Sequence, residues 1–244
     1  MSERVALITG AASGFGRALT EQLRERGMAV VACDVDEAGG VELAERTGAL
    51  FVACDVSDPE QNEAAVAVAV EEHGGLDLAF LNAGVAFGTP LGEHFELETY
   101  RRAIGINLDG VLFGVNAVLL ALKARGGGSI VATASLAGLA PVPMDPVYAA
   151  NKHAVVGLVR SLGPVLAADG VRINAVCPGF ADTKIIAPIR EFLQSEGPPI
   201  IPVQEVIDVV LGLFDGEMSG ECWFVQAGRE SQPFGFRGIP GPRS

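Results

Sequence analysis

The sequence predicts a single doubly wound α/β domain, a parallel sheet of about seven strands with helices on both faces. Three observations predict it. Short runs rich in β-branched residues alternate with longer helical patterns along the whole of the 244 residues. Those short runs are apolar almost throughout instead of alternating, as parallel strands covered on both faces are. The connections are short, and no Ser- or Pro-rich linker, composition break or internal repeat divides the chain before its tail. The alternation should therefore close into right-handed βαβ units of one domain.

The first strand, expected over 4–9, carries Val5-Ala6-Leu7-Ile8 and runs into Thr9-Gly10-Ala11-Ala12-Ser13-Gly14-Phe15-Gly16 before a helix over 14–26. A glycine-rich strand-to-helix turn lets the backbone approach a pyrophosphate, whose charge the helix N-terminus favours. The spacing is GxxxGxG, and three glycines also suit a plain tight turn. The second strand, 29–34, decides between these, because Val30-Val31-Ala32-Cys33 ends at Asp34, placed to accept from both hydroxyls of a ribose. Asp34 also selects the cofactor. A carboxylate about 4 Å from a 2′-phosphate charge costs about 4 kcal/mol at an effective dielectric of 20. The residues that follow are Val35, Asp36 and Glu37, and Ser13 precedes Gly14, so no basic side chain stands there to offset a phosphate and NAD is expected over NADP. A helix over 38–46, a strand over 50–54, a helix over 59–73 and a strand over 76–82 continue the rhythm, followed by a long helix over 97–124 and a strand over 129–133. The next helix, 147–168, contains Tyr148-Ala149-Ala150-Asn151-Lys152. Residues i and i+4 share a helix face, so phenol and ammonium point the same way; a cation at about 4 Å has the order of energy needed to bring a phenol toward neutrality. A surface Tyr–Lys pair would show the same spacing. Strands over 171–176 and 222–226 enclose a helix over 203–214.

Two segments fall outside this alternation. Residues 180–202 hold Pro188, Pro198 and Pro199 among apolar residues, the make-up of a mobile flap over a ligand. Residues 227–244, with Gly228, Pro233, Gly235, Gly238, Pro240, Gly241 and Pro242, should form an irregular arm, leaving 1–226 as the domain proper.

Composition narrows the function. With 49% hydrophobic and 19% charged residues, and 31 Gly and 14 Pro spread along the chain, disorder and collagen-like repeats are excluded. Seventeen basic against 30 acidic side chains leave a net charge of -13, which excludes a nucleic-acid binder and opposes anionic membranes and acidic carrier proteins. The longest apolar run, 111–122, contains Asn116 and falls short of the roughly 20 residues of a membrane span. With no leader pattern before Arg4, a cytoplasmic location is expected. Cys33, Cys54, Cys177 and Cys222 lie in or beside apolar runs without CxxC spacing and read as reduced core thiols. His73, His94 and His153 lack metal-ligand spacing, so no metal is expected.

Taken in series, these residues resemble the classical short-chain dehydrogenases/reductases, a Rossmann-type family, over nearly the whole chain. Thr9 to Gly16 is similar to the family's TGxxxGxG turn. Asp55-Val56 resembles its adenine-holding pair, and Leu81-Asn82-Ala83-Gly84 its NNAG motif with Leu in first place. Asn107, Ser135, Tyr148 and Lys152 match its catalytic tetrad, and Cys177-Pro178-Gly179, Phe180 and Thr183 its PGxxxT segment beside the nicotinamide. Asn151 and Cys177 depart from the usual Ser and Asn. Within the family, 153–183 together with Gly197-Pro198-Pro199-Ile200-Ile201 is most similar to the hydroxyprostaglandin-dehydrogenase branch.

The resemblance implies hydride transfer between a secondary alcohol and NAD. Tyr148 would be general base, Lys152 would lower its pKa and hold the nicotinamide ribose, Ser135 would bond the substrate oxygen, and Asn107 would hold a water linking Lys152 to solvent. The implied cofactor contacts are Gly10, Ser13, Gly14, Phe15, Gly16, Asp34, Asp55, Val56, Asn82, Ala83, Gly84, Tyr148, Lys152, Pro178, Gly179, Phe180 and Thr183. The pocket would lie between the 135–148 loop and the flap, lined by Ser135, Ala137, Met144, Tyr148, Phe180, Ile186 and Phe192, and its apolar walls suit an apolar alcohol or its ketone. The family also implies a homodimer or homotetramer joined through the 97–124 and 147–168 helices. Two other readings share the fold: an NADPH-dependent carbonyl or acyl-carrier ketoreductase, and a non-catalytic nucleotide-binding regulatory protein.

Overall fold

A computed structural model describes residues 4–238. Seven parallel strands form its sheet: β1 (Val5–Thr9), β2 (Ala29–Asp34), β3 (Leu50–Ala53), β4 (Leu78–Leu81), β5 (Gly128–Thr133), β6 (Val171–Pro178) and β7 (Cys222–Val225). A two-residue β8 (Gln232–Pro233) adds antiparallel to β7, giving the order β3-β2-β1-β4-β5-β6-β7-β8. The seven parallel strands agree with the expected sheet, and β8 adds an eighth at its edge. The extra one comes from the arm expected to be irregular: the Phe234 amide bonds the Cys222 carbonyl and draws the chain along the β7 edge. Phe236 then lies under the Arg160 guanidinium, 3.6 Å from its ring centre. Residues 1–3 of the expected domain and 239–244 of the expected arm lie outside the described residues.

The helices are α1 (Gly14–Glu25), α2 (Glu37–Thr47), α3 (Pro59–His73), α4 (Leu97–Ile104), α5 (Gly110–Ala124), α6 (Pro146–Leu166), α7 (Arg190–Ser195) and α8 (Val203–Asp215). Alternate strand residues feed two cores. Val5 and Leu7 of β1 join the layer with Ala65, Val111 and Val155 from α3, α5 and α6. Ala6 and Ile8 face Leu19, Leu43 and Val206 from α1, α2 and α8. Each fully buried Leu, Ile or Val contributes about 1.5–3 kcal/mol, and the continuous apolar runs are what a sheet buried on both faces requires.

The helix expected over Leu97–Ala124 contains a π-helical turn, Gly105–Asp109, between α4 and α5. That stretch is also long and apolar enough to cross a bilayer by length and composition alone, with a mean hydropathy of 1.8 over its best 18-residue window. In the fold it is the crossover between β4 and β5, and Val111, Val115, Val118 and Leu122 are buried. The flap carries regular structure of its own. It holds a 3-10 segment, Lys184–Ile189, and then α7, and its two ends are stapled where the Ile201 amide donates to Phe180 and the Asp182 amide to Ile201.

Strand order reverses between β1 and β4, so a crevice opens at the carboxyl ends of the strands there. All the candidate residues gather along that edge or on the loops above it.

Candidate active site

The turn after β1 needs its glycines for different reasons. Gly10 and Gly14 hold positive φ, 66° and 53°, while a Cβ on Gly16 would sit 2.2 Å from the Gly10 carbonyl oxygen. Ser13 is the N-cap of α1 but makes no side-chain cap bond, and the first turn carries no acid. The leading amides of α1 therefore lack a side-chain acceptor, which suits a phosphate. Asp34 ends β2 with its carboxylate accepting the Ala12 amide at 2.8 Å and the Asp36 amide at 3.0 Å, which leaves lone pairs for a ribose diol. A cleft of about 420 Å3 runs past Ala12, Ser13 and Gly14 to Thr183, Lys184 and Arg190 on the flap. On these observations the residues fit a dinucleotide.

Other expected contacts are spent inside the protein. Asn82 is a strut: its side-chain amide donates to the Thr9 carbonyl at 3.0 Å, its carbonyl accepts from Thr133 Oγ1 at 3.1 Å, and its backbone amide donates to Thr9 Oγ1 at 2.9 Å. The Ala83 amide uses the same Thr9 hydroxyl. Asp55 accepts the amide and hydroxyl of Ser57 on one oxygen, and Val56 is buried. In the sequence Thr9 stands out only as the first residue of the glycine turn, and Thr133 not at all, since nothing in a strand-end Thr distinguishes it.

Ser135 follows β5 and caps a short 3-10 turn; its Oγ accepts the Ala137 amide at 3.1 Å and donates to the Pro178 carbonyl at 3.4 Å. Tyr148 stands in the first turn of α6, where Asp145 is the N-cap and Pro146 opens the helix, and its phenol lies beside Ser135. Burial pushes that phenol above its ordinary value, and the neighbouring Ser135 hydroxyl acts the other way. Lys152, one turn on, is buried, donates to the Thr133 carbonyl at 2.8 Å and lies 5.7 Å from the centre of the Tyr148 ring. Its pKa is pulled down to about 8, chiefly by burial. Among the protein's own groups, burial dominates at the phenol, and the Lys152 ammonium stands 5.7 Å from the centre of its ring. Asn107, in the π-helical turn, braces the loop after β4: its side chain accepts from the Val85 amide and donates to the Val85 carbonyl, both at 2.9 Å. Gly84 lies between Asn107 and Lys152, where a Cβ would be 3.2 Å from Asn107 Oδ1 and 3.6 Å from Lys152 Nζ.

The expected apolar pocket is placed in part. Phe180 and Phe192 on the flap and Met144 on the loop before α6 present exposed apolar surface. Ile186 does not: it is 2% exposed and packs inward, whereas the preceding Ile185 faces out. Ala137 is nearly buried as well, and contributes its amide to Ser135. Phe87, on the loop after β4, was not foreseen; it is partly exposed and stacks with the Arg102 guanidinium at 5.2 Å.

Fold and edge chemistry together define a nucleotide-binding α/β protein with a phenol, a hydroxyl and a buried amine poised at the crevice. The short chain dehydrogenase family model matches residues 4–194. Cyclohexanol dehydrogenase of Acinetobacter sp. (strain SE19) is 35% identical over 229 residues, covering 89% of this chain and 90% of that protein. The 15-hydroxyprostaglandin dehydrogenase [NAD(+)] of Homo sapiens is 38% identical over 200 residues, covering 77% and 72%. Among solved structures, the 3-ketoacyl-(acyl-carrier-protein) reductase from Brucella melitensis complexed with NADH superposes with a TM-score of 0.86 at 28% identity, covering 93% of this chain and 98% of that one. The chain belongs to the short-chain dehydrogenase family. It is an oxidoreductase whose relatives include dehydrogenases of secondary alcohols.

Proposed function

We propose that the protein oxidises apolar secondary alcohols with NAD. The observation that carries this reading is the buried Lys152, anchored on the Thr133 carbonyl at the end of β5, one helical turn from Tyr148 and beside Ser135, at the sheet edge that also holds the glycine turn and Asp34. When bound, NAD supplies the hydride acceptor and a positive charge that favours the phenolate. Ser135 Oγ donates to the substrate oxygen and holds the carbinol against Tyr148, which removes the hydroxyl proton. Lys152, with a pKa near 8, is able to pass a proton on close to neutral pH. Asn107 holds Val85 and, with it, the wall beside Lys152.

Preference for NAD is supported by the Asp34 carboxylate, and by the fact that Arg17 and Arg46 are each engaged by Glu21 and Glu42. That cluster balances two charges against two and leaves no surplus for a 2′-phosphate. An apolar substrate is supported by the exposed Phe180, Ile185 and Phe192 on the flap and by the alcohols named for the relatives. The test follows reduced-nicotinamide absorbance with cyclohexanol and a series of alkylcyclohexanols, against polyols and sugar acids. Efficiency should rise with apolar size by up to about 0.8 kcal/mol of binding per buried methylene, and Phe192→Ala should flatten the rise. A preference for polyols over every apolar alcohol would refute the assignment. The ketoreductase reading predicts instead that NADPH-driven ketone reduction outpaces every NAD reaction.

A further inference from the structure

Asp145 is joined to three segments around Tyr148: the start of α6, the loop after β4 and the loop before α6. Its Oδ1 accepts the Tyr148 amide at 3.0 Å, capping α6, and its Oδ2 accepts the Gly88 amide at 3.1 Å from the loop after β4. Its own amide donates to the Val142 carbonyl at 3.2 Å, within the loop that leads to α6. The loop after β4 is held at a second point, Val85, by the Asn107 side chain. Phe87 lies between the two attachments, and Gly88, at a φ of 61°, has open space where its Cβ would be. Packing does not fix Gly88; the bond to Asp145 does.

We propose that Asp145 is a positioning and specificity residue, which ties the 85–88 wall of the cleft to the first turn of the Tyr148 helix so that substrate entry and the phenol keep one fixed geometry. The inference rests on the cleft being the substrate site. Chemistry selects the residue type. A carboxylate offers an acceptor to each amide, whereas serine has one short oxygen and asparagine turns an amino group toward one of the two donors. A neutral cap therefore keeps the helix and releases the loop.

Asp145→Ser and Asp145→Ala separate the two attachments. Hydrogen exchange of the 84–92 peptide should quicken by about tenfold in both, the loss of one net hydrogen bond. With cyclohexanol and saturating NAD, Asp145→Ser should raise KM by about tenfold with kcat nearly unchanged, whereas Asp145→Ala, which also loses the cap, should lower kcat too. NADH binding followed by fluorescence should stay at the wild-type value in both variants. Unchanged exchange and KM in Asp145→Ser would overturn the proposal, as would an equal fall in kcat in the two variants or a loss of NADH binding. Failure of the wild type to oxidise cyclohexanol would count against the proposed function, while the exchange comparison still decides the role of Asp145.

Discussion

Replacing Lys152 by methionine should remove a pH dependence from the stability of the fold. The ammonium is buried and its pKa drops from 10.5 to about 8. A lysine whose folded pKa lies below its unfolded value destabilises the fold while charged. The unfolded chain binds the proton more tightly, so stability rises with pH between the two values. A shift of that size amounts to roughly 3 kcal/mol, most of it lying between pH 7 and pH 10. Urea melts of the wild type and Lys152→Met across that range isolate the group, because distant titrations are common to both chains. The difference in unfolding free energy should move toward the wild type by roughly 2–3 kcal/mol as pH rises from 7 to 10. A difference constant to within about 0.5 kcal/mol would refute the reasoning and mean that the amine is solvated in the fold.

Tyr148→Phe should cut turnover by about 10²-fold or more while NADH still binds by fluorescence titration; retention of a tenth of the rate would remove Tyr148 as the base. Wild type should favour NAD over NADP by about 10²-fold in kcat/KM, and Asp34→Ser should narrow the ratio; equal efficiency with both cofactors would contradict the role of Asp34. Gly212→Ala, in α8 with open space around its Cβ, should add about 0.5–1 kcal/mol in calorimetry, whereas Gly16→Ala should lower stability because its Cβ meets the Gly10 carbonyl. Light scattering at micromolar concentration should give two or four times the 25.2 kDa monomer mass, since Leu112 and Leu120 on α5 and Val165 on α6 stand exposed; a monomer would refute that expectation.

Strands and helices were legible in the sequence because both faces of the sheet are buried, so each strand is an apolar run with turn residues at its ends. Period alone could not show the π-helical turn at Asn107, whose flanking apolar residues keep helical spacing through it. β8 was hidden for another reason: Gln232 and Pro233 have little strand character, and only backbone bonding to the β7 edge makes them one. At the site, residue types were readable but not their partners. That Asn82 is braced by Thr9 and Thr133, and Asn107 by Val85, had no signal in the sequence. Asp145-Pro146 did carry a signal, an acidic N-cap before a first-position proline. Its second bond, to Gly88 57 residues earlier, had none.

Because Asn82 bonds to the ends of both β1 and β5, the half of the crevice that begins at Gly10 and the half that leads to Ser135 cannot drift apart independently. Their alignment is settled once, when the strands associate during folding, and does not have to be recreated at each turnover. The conformational entropy of bringing two partners together is then borne by the fold's overall stability instead of appearing in the activation barrier. Mild loosening of the central strands would accordingly slow the reaction before it unfolds the protein.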